Sequence, residues 1–228
     1  LGAQVGTTSL DFITETIQFT TADSGTNGYN VIYKNRDEVG SAQLIGGELL
    51  KGWEPHTGQI YKAYAGTDQE ETEAQRKLRL MLQTRGTLAP WVFHTLYENG
   101  IRARKARYPN YAYDERFPLS NAPYLTSEAG TETVLTYKPG DLTPDLWTLT
   151  SYANLVVWPW GKCDWQKATR TIQFIDATNR TISIHQPVLG GVTIDKDARY
   201  YVEGIFELLD QPGEFFYDLE TDYVYYWP

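Results

Sequence analysis

Residues 198–218 read ARYYVEGIFELLDQPGEFFYD, and residues 219–228 continue as LETDYVYYWP. Short runs of aromatic and β-branched residues alternate here with turn-forming Pro-Gly and Thr-Asp pairs, a pattern typical of strands joined by tight turns. The strands predicted from this pattern are Tyr200–Glu203, Phe215–Tyr217 and Tyr223–Trp227. The last two flank a turn at residues 219–222 and form a predicted hairpin.

The same pattern extends through much of the chain. The further predicted strands are Thr133–Tyr137, Ala153–Trp158, Thr171–Ile175 and Thr181–His185. Residues 176–180 join the last two as a hairpin, and Asn99-Gly100, which lies between apolar runs, is the strongest short hairpin signal. Aromatic residues make up 14% of the chain, and their flat rings pack well on pleated strands. We therefore predict an all-β fold with a β-sandwich or barrel-like domain.

One segment favours a helix instead. Thr67 and Glu70 have the spacing of a capping box, acidic residues follow in the first turns, and basic residues lie toward the end before Gly86. The polar first half indicates a position on the surface. The sequence therefore predicts one surface α-helix near residues 68–84, within a helical excursion at residues 67–86.

The charge balance excludes several classes of partner. The chain has 20 Lys and Arg against 29 Asp and Glu, and its formal net charge of −9 repels nucleic acid phosphates and anionic lipid headgroups. No stretch approaches about 18 apolar residues, so we expect no membrane insertion. Cys163 is the single cysteine, which excludes an intrachain disulfide and a cysteine-based zinc cluster. We expect no metal, no cofactor and no nucleic acid partner.

A tryptophan-rich segment is the best candidate for a ligand surface. Residues 158–165 read WPWGKCDW, and the candidate carbohydrate-binding residues are Trp158, Trp160 and Trp165. Indole rings near a Pro and a Gly can form an exposed platform on which the apolar faces of sugars stack. Core packing is the alternative use of these rings, because Trp158 and Trp160 would share one face of a strand.

Several segments of the chain carry a family resemblance. Residues 199–228 resemble the stretch that closes a β-rich domain inserted near the start of the β-helix in right-handed parallel β-helix glycoside hydrolases and their relatives, of the β-xylosidase and α-fucosidase kind. Residues 99–109, NGIRARKARYP, resemble a second segment of that family, and residues 44–53 resemble the beginning of the inserted domain. Asp222 replaces the turn glycine of the family, a change that a hairpin should tolerate.

The resemblance implies two regions. Residues 1–47 would supply the initial β-helix strands, and residues 48–228 would form the β-rich inserted or accessory domain. The motif residues with expected structural roles are Asn99, Gly100, Arg107, Pro109, Arg199, Tyr200, Glu203, Glu207, Asp210, Pro212, Gly213 and Glu214. In the resembled enzymes the catalytic carboxylates belong to the long β-helix that follows the position of Pro228. No catalytic residue is therefore assigned within this chain, which we expect to be inactive alone.

The resemblance also implies a role in carbohydrate processing. We expect a non-catalytic amino-terminal or accessory portion of a secreted glycoside hydrolase that acts on plant or microbial polysaccharide, in an extracellular, periplasmic or cell-surface location. It would support the β-helix and could also line the substrate cleft. The expected partners are an oligo- or polysaccharide and either the remainder of a β-helix polypeptide or a second copy of the chain, because isolated β-helix rungs leave open sheet edges. The alternatives are a stand-alone carbohydrate-binding module and a structural or adhesion module.

Overall fold

The computed structural model describes Thr20 and residues 49–65, 95–111, 123–160 and 165–228. The chain divides into two compact units, Leu1–Lys51 and Gly52–Pro228, and every described strand belongs to the second unit. The β-helix strands predicted within residues 1–47 and the helix predicted near residues 68–84 lie outside the described residues. Within the described ranges, no helix is long and apolar enough to cross a lipid bilayer.

The regular secondary structure of the described residues is almost entirely β, as predicted. Its strands are β1 (Glu54–Thr57), β2 (Ile60–Tyr64), β3 (Tyr97–Glu98), β4 (Ile101–Arg102), β5 (Arg104–Lys105), β6 (Arg107–Tyr108), β7 (Leu125–Thr126), β8 (Ala129–Gly130), β9 (Val134–Thr136), β10 (Asn154–Val157), β11 (Ala168–Asp176), β12 (Thr181–Ile184), β13 (Arg199–Glu203), β14 (Glu214–Asp218) and β15 (Tyr223–Tyr226). Two short 3-10 helices cover Pro144–Leu146 and Phe206–Leu208. The all-β prediction is confirmed.

These strands form two long sheets and one separate hairpin. The larger sheet follows the order β6-β13-β10-β11-β12-β9-β8, and β7 also pairs with β13. The second sheet follows the order β1-β2-β15-β14-β5, while β3 pairs only with β4 in the described residues. The pairing of β14 with β5 is parallel, and β14 pairs antiparallel with β15. Neither path returns to its first strand, so the described strands form open sheets and not a closed barrel.

The three predicted hairpins are present. Asn99 and Gly100 adopt φ values of 50° and 83° between β3 and β4, as a two-residue turn of type I′ requires. β11 pairs with β12, and β14 pairs with β15. At the last turn Asp222 adopts a φ of 59° and accepts a hydrogen bond from the hydroxyl of Tyr217. Asp222 therefore occupies the turn position at which the resembled enzymes have glycine, because aspartate enters the left-handed region more readily than most residues.

The hydrophobic core of the described residues lies mainly on one face of the larger sheet. Alternation along β13 separates the two faces, because Tyr200 and Val202 are fully buried whereas Arg199, Tyr201 and Glu203 are half-buried on the opposite face. The largest fully buried side chains are Tyr200, Phe215, Leu135, Leu155, Ile182, Ile194, Ile205 and Leu219. The half-buried face of β13 is the one that carries the motif residues Arg199 and Glu203.

Gly204 allows the chain to turn closely at the end of β13. Its φ of 79° lies in the left-handed region, and a Cβ atom added there would lie 2.9 Å from the carbonyl oxygen of Tyr152. The hydroxyl of Thr150 donates a hydrogen bond to the Gly204 carbonyl over 2.9 Å. Glycine is therefore required here on two grounds, the backbone conformation and the contact with the segment that precedes β10.

Candidate functional site

Residues 95–111 contain one of the segments with a family resemblance, and they form β3 to β6. After the turn at residues 99–100, β5 pairs in parallel with β14 at the edge of the second sheet, and β6 pairs with β13 at the edge of the larger sheet. This path places Arg104 on one sheet and Arg107 on the other.

Basic side chains and aromatic rings alternate on the half-buried face of β13 and beside it. The members of this arginine–aromatic cluster are Arg104, Arg107, Tyr111, Tyr124, Trp158, Arg199 and Tyr201. Arg104 lies 4.5 Å from the centroid of the Tyr111 ring, and Arg199 lies 5.4 Å from the centroid of the Trp158 ring. Ring faces carry negative potential and attract the guanidinium groups.

Arg107 is the centre of the cluster and is only 6% exposed. Its guanidinium carbon lies 4.1 Å from the Tyr201 ring centroid, and two further tyrosine rings of the cluster lie 5.2 and 5.3 Å away. Nε donates a hydrogen bond to the carbonyl oxygen of Pro109 over 2.8 Å, and Nη2 donates another to that of Pro123. Burial lowers the pKa of Arg107. This side chain therefore fixes β6 to the two flanking loop segments.

The three candidate tryptophans occupy different environments. Trp158 is half-buried, with its ring 5.1 Å from that of Tyr124 and 6.2 Å from that of Tyr201. Trp160 is also half-buried, whereas Trp165 is 84% exposed. Residues 161–164 lie outside the described residues, so a single platform of three indoles stays a prediction. Trp158 belongs to the arginine–aromatic cluster.

A second aromatic group lies on the other long sheet and was not anticipated from the sequence. The tyrosine row consists of Tyr64, Tyr223 and Tyr225, whose ring centroids are separated by 5.6 Å and 6.5 Å in that order. Residues i and i+2 of a strand share a face, and the register pairs Tyr223 with Tyr64 across β15 and β2. The ring of His56 on β1 lies 4.9 Å from that of Tyr225. The alternation in residues 223–226 was the signal that could have revealed this row.

The acids near the carboxyl end of the chain make mainly local hydrogen bonds. Asp218 accepts hydrogen bonds from the hydroxyl of Tyr152 at 2.8 Å, the backbone N–H of Glu220 at 2.9 Å and the hydroxyl of Thr221 at 2.6 Å. Burial, followed by the bond with Asp218, raises the pKa of Tyr152. Asp218 therefore closes the β14–β15 turn and connects it to the segment before β10.

The other motif acids and the turn residue Gly213 lie in different parts of the fold. Asp210 accepts a hydrogen bond over 2.7 Å from the amide of Asn110 and thus links two segments that are far apart in the sequence. Glu203 lies opposite Arg107 in the register of β13 with β6, and Glu207 is exposed. Gly213 adopts a φ of 81°, and its carbonyl accepts a hydrogen bond from the backbone N–H of Arg104 over 2.9 Å.

Glu214 differs from the other acids because it is only 2% exposed. Among the described contacts neither carboxyl oxygen accepts a hydrogen bond, although the N–H groups of Asp210 and Gln211 lie near. Burial, and then the negative charge of Asp210, raises the pKa of Glu214 to about 7, against opposing effects of these N–H groups and of Arg104. This carboxyl is held largely in its neutral form in mildly acidic solution.

The described residues show no arrangement of three or more His, Cys, Asp or Glu side chains suited to a metal ion.

The structure brings together some of the predicted site residues. Arg107, Arg199 and Trp158 meet in the arginine–aromatic cluster, whereas Trp165 is exposed and makes none of the described ring contacts of that cluster. The tyrosines of the cluster were missed, because contacts between such distant segments leave no short-range signal in the sequence.

Comparison with known proteins shows the class of fold. A solved structure described as a glycoside hydrolase aligns with this chain with a TM-score of 0.50 and 18% sequence identity. The chain has a glycoside hydrolase-like fold. The alignment covers 81% of this chain and 29% of the solved chain, so the chain spans less than a third of that protein. No family model matches the sequence, and no curated protein matches it.

Proposed function

We propose that this chain is a non-catalytic accessory portion of a carbohydrate-processing protein with a parallel β-helix, acting on plant or microbial polysaccharide outside the cytoplasm. The observation that carries the proposal is the fold likeness to a part, 29%, of a glycoside hydrolase. In this role residues 1–47 contribute the first β-helix strands, and residues 48–228 form a domain that supports the β-helix.

The chemistry of the described residues supports a structural role for this domain. Glycoside hydrolysis generally uses two carboxyl groups, one as the general acid and the other as the nucleophile or the general base. Asp218 and Asp210 instead make hydrogen bonds that hold turns and loops together. Arg107 connects β6 to neighbouring carbonyl groups. These contacts support a structural role for these three residues.

The test compares the 228-residue chain with the protein translated from the uninterrupted reading frame that contains it. Both are assayed on aryl glycosides and on xylan, β-glucan and fucosylated oligosaccharides. We expect hydrolysis only by the longer protein, in which further β-helix sequence is present. Hydrolysis at enzymic rates by the 228-residue chain alone, abolished by Glu214→Gln, would contradict the proposal and would make Glu214 a catalytic acid.

A stand-alone carbohydrate-binding module is the second candidate function. The observation that favours it is the tyrosine row, which presents partly exposed rings on a sheet, with Tyr64 50% exposed. Such a module would bind a polysaccharide without any β-helix partner. Binding by the 228-residue chain, with no hydrolysis by the longer protein, would favour this candidate.

A further inference from the structure

The tyrosine row extends outward from the hydrophobic core. Its inner end is anchored, since Tyr225 lies 5.1 Å from the ring of Phe206 and 6.0 Å from that of the buried Phe216. Its outer end is accessible, because Tyr64 is 50% exposed and Tyr223 is partly exposed. The rings are thus held in place before any ligand arrives, which reduces the entropic cost of binding.

Polar groups flank the exposed end of the tyrosine row. The ammonium group of Lys62 lies 5.0 Å from the centroid of the Tyr223 ring and 3.1 Å from a carboxylate oxygen of Glu54. These two side chains provide hydrogen-bond donors and acceptors next to the rings. Binding sites for small molecules combine aromatic surface with a few placed polar groups in this way.

The edge strand β1, which lies next to β2 of the tyrosine row, is poorly suited to a polypeptide partner. Strand addition requires a row of free backbone donors, but β1 contains Pro55 and a register shift between Pro55 and Thr57. Every residue of β1 is exposed, and this strand carries the charged Glu54, so it offers no continuous apolar surface to a polypeptide. The net charge of −9 also disfavours a polyanionic ligand.

We propose that the tyrosine row, together with Lys62 and Glu54, binds a neutral oligosaccharide chain. The apolar C–H faces of the sugar units would stack on the exposed rings, and their hydroxyl groups would form hydrogen bonds with the Lys62–Glu54 pair. The inference rests on the proposed carbohydrate role. It places sugar contact on β2 and β15 and not on the tryptophan segment predicted from the sequence.

The test is affinity gel electrophoresis of the full 228-residue chain in gels that contain neutral arabinoxylan, neutral mixed-linkage β-glucan or anionic polygalacturonate. The variants are Tyr64→Ala, Tyr64→Phe, the control Phe174→Ala, which removes an exposed ring on β11, and Trp165→Ala, which tests the tryptophan segment. Circular dichroism of each variant checks that it is folded. We expect retardation by at least one neutral polysaccharide, with binding weakened about tenfold by Tyr64→Ala and little changed by Tyr64→Phe or Phe174→Ala.

Two outcomes would overturn the inference. One is the absence of retardation of the wild-type chain in every neutral gel. The other is retardation that survives Tyr64→Ala and disappears in Trp165→Ala, which would move the contact to the tryptophan segment. Neither outcome bears on whether hydrolysis needs further β-helix sequence, so a wrong binding surface can be distinguished from a wrong accessory role.

Discussion

The residue with the most unusual chemistry is Glu214, because a buried carboxyl group without a hydrogen bond among the described residues favours its neutral form. Its pKa of about 7 in the folded protein exceeds the ordinary value of 4.5. Between these values the folded state keeps a proton that the unfolded state releases. The contribution of Glu214 to the free energy of unfolding should therefore decrease as the pH rises from 4.5 to 7 and change little above it.

We predict that Glu214→Gln removes this pH dependence and raises the free energy of unfolding at pH 8 by about 1–3 kcal/mol. Glutamine has nearly the same shape and cannot acquire the negative charge that burial disfavours. Urea denaturation at pH 5 and pH 8 measures the effect, and Glu207→Gln, at an exposed acid, is the matched control. The same pH slope in wild type and Glu214→Gln would show that Glu214 titrates normally.

Gly204 provides a second test at this scale, because its left-handed backbone coincides with a close contact. Gly191 has a similar φ of 74°, but a Cβ atom there would meet nothing within 4 Å. We predict that Gly191→Ala costs about 1 kcal/mol, from the backbone alone, and that Gly204→Ala costs about 1–3 kcal/mol more. Thermal and urea denaturation compare the two variants. Equal losses would mean that the segment around Tyr152 moves aside at little cost.

Among the elements, β6 depends on side-chain contacts because it has only two residues, Arg107 and Tyr108. We predict that Arg107→Lys lowers the free energy of unfolding by about 2 kcal/mol, although the charge is kept. Lysine lacks the planar guanidinium of Arg107, which lies against the Tyr201 ring and donates hydrogen bonds to two carbonyl oxygens. Urea denaturation measures the loss. Arg102→Lys, at an exposed position on β4, is the control and should be nearly neutral.

The elements also show what could be predicted from the sequence. Strands β10 to β15 were predictable, because alternating apolar residues and turn residues are local signals that match the period of a strand. The parallel pairing of β5 with β14 was not, because it joins segments about a hundred residues apart and no turn specifies it. The hydrogen bond from Asn110 to Asp210 is of the same kind.

The candidate site follows the same division. Trp158 and Arg107 were chosen from the sequence because they belong to a recognisable segment or motif. Their contacts with the rings of Tyr124 and Tyr201 could not be predicted, because these contacts depend on the pairing of β13 with β6 and β10. The tyrosine row depends likewise on the register of β15 with β2.

For the whole molecule, the relevant feature is that the unit Gly52–Pro228 is compact and contains a hydrophobic core of its own, from Ile60 to Leu219. We predict that a fragment of residues 52–228 folds alone, with a free energy of unfolding within about 1 kcal/mol of the value for the corresponding transition of the full chain. The reason is that a compact unit with its own hydrophobic core can fold independently of the rest of its chain.

Urea denaturation, monitored by tryptophan fluorescence, measures this stability. The half-buried Trp158 lies within the unit and reports on its packing. A fragment of residues 60–228, which lacks β1 but keeps the core, serves as the comparison and should lose stability, since β2 then becomes an unprotected edge. A fragment of residues 52–228 that is unfolded or aggregated would show that residues 1–51 complete the core. The proposed domain boundary near residue 48 would then be wrong.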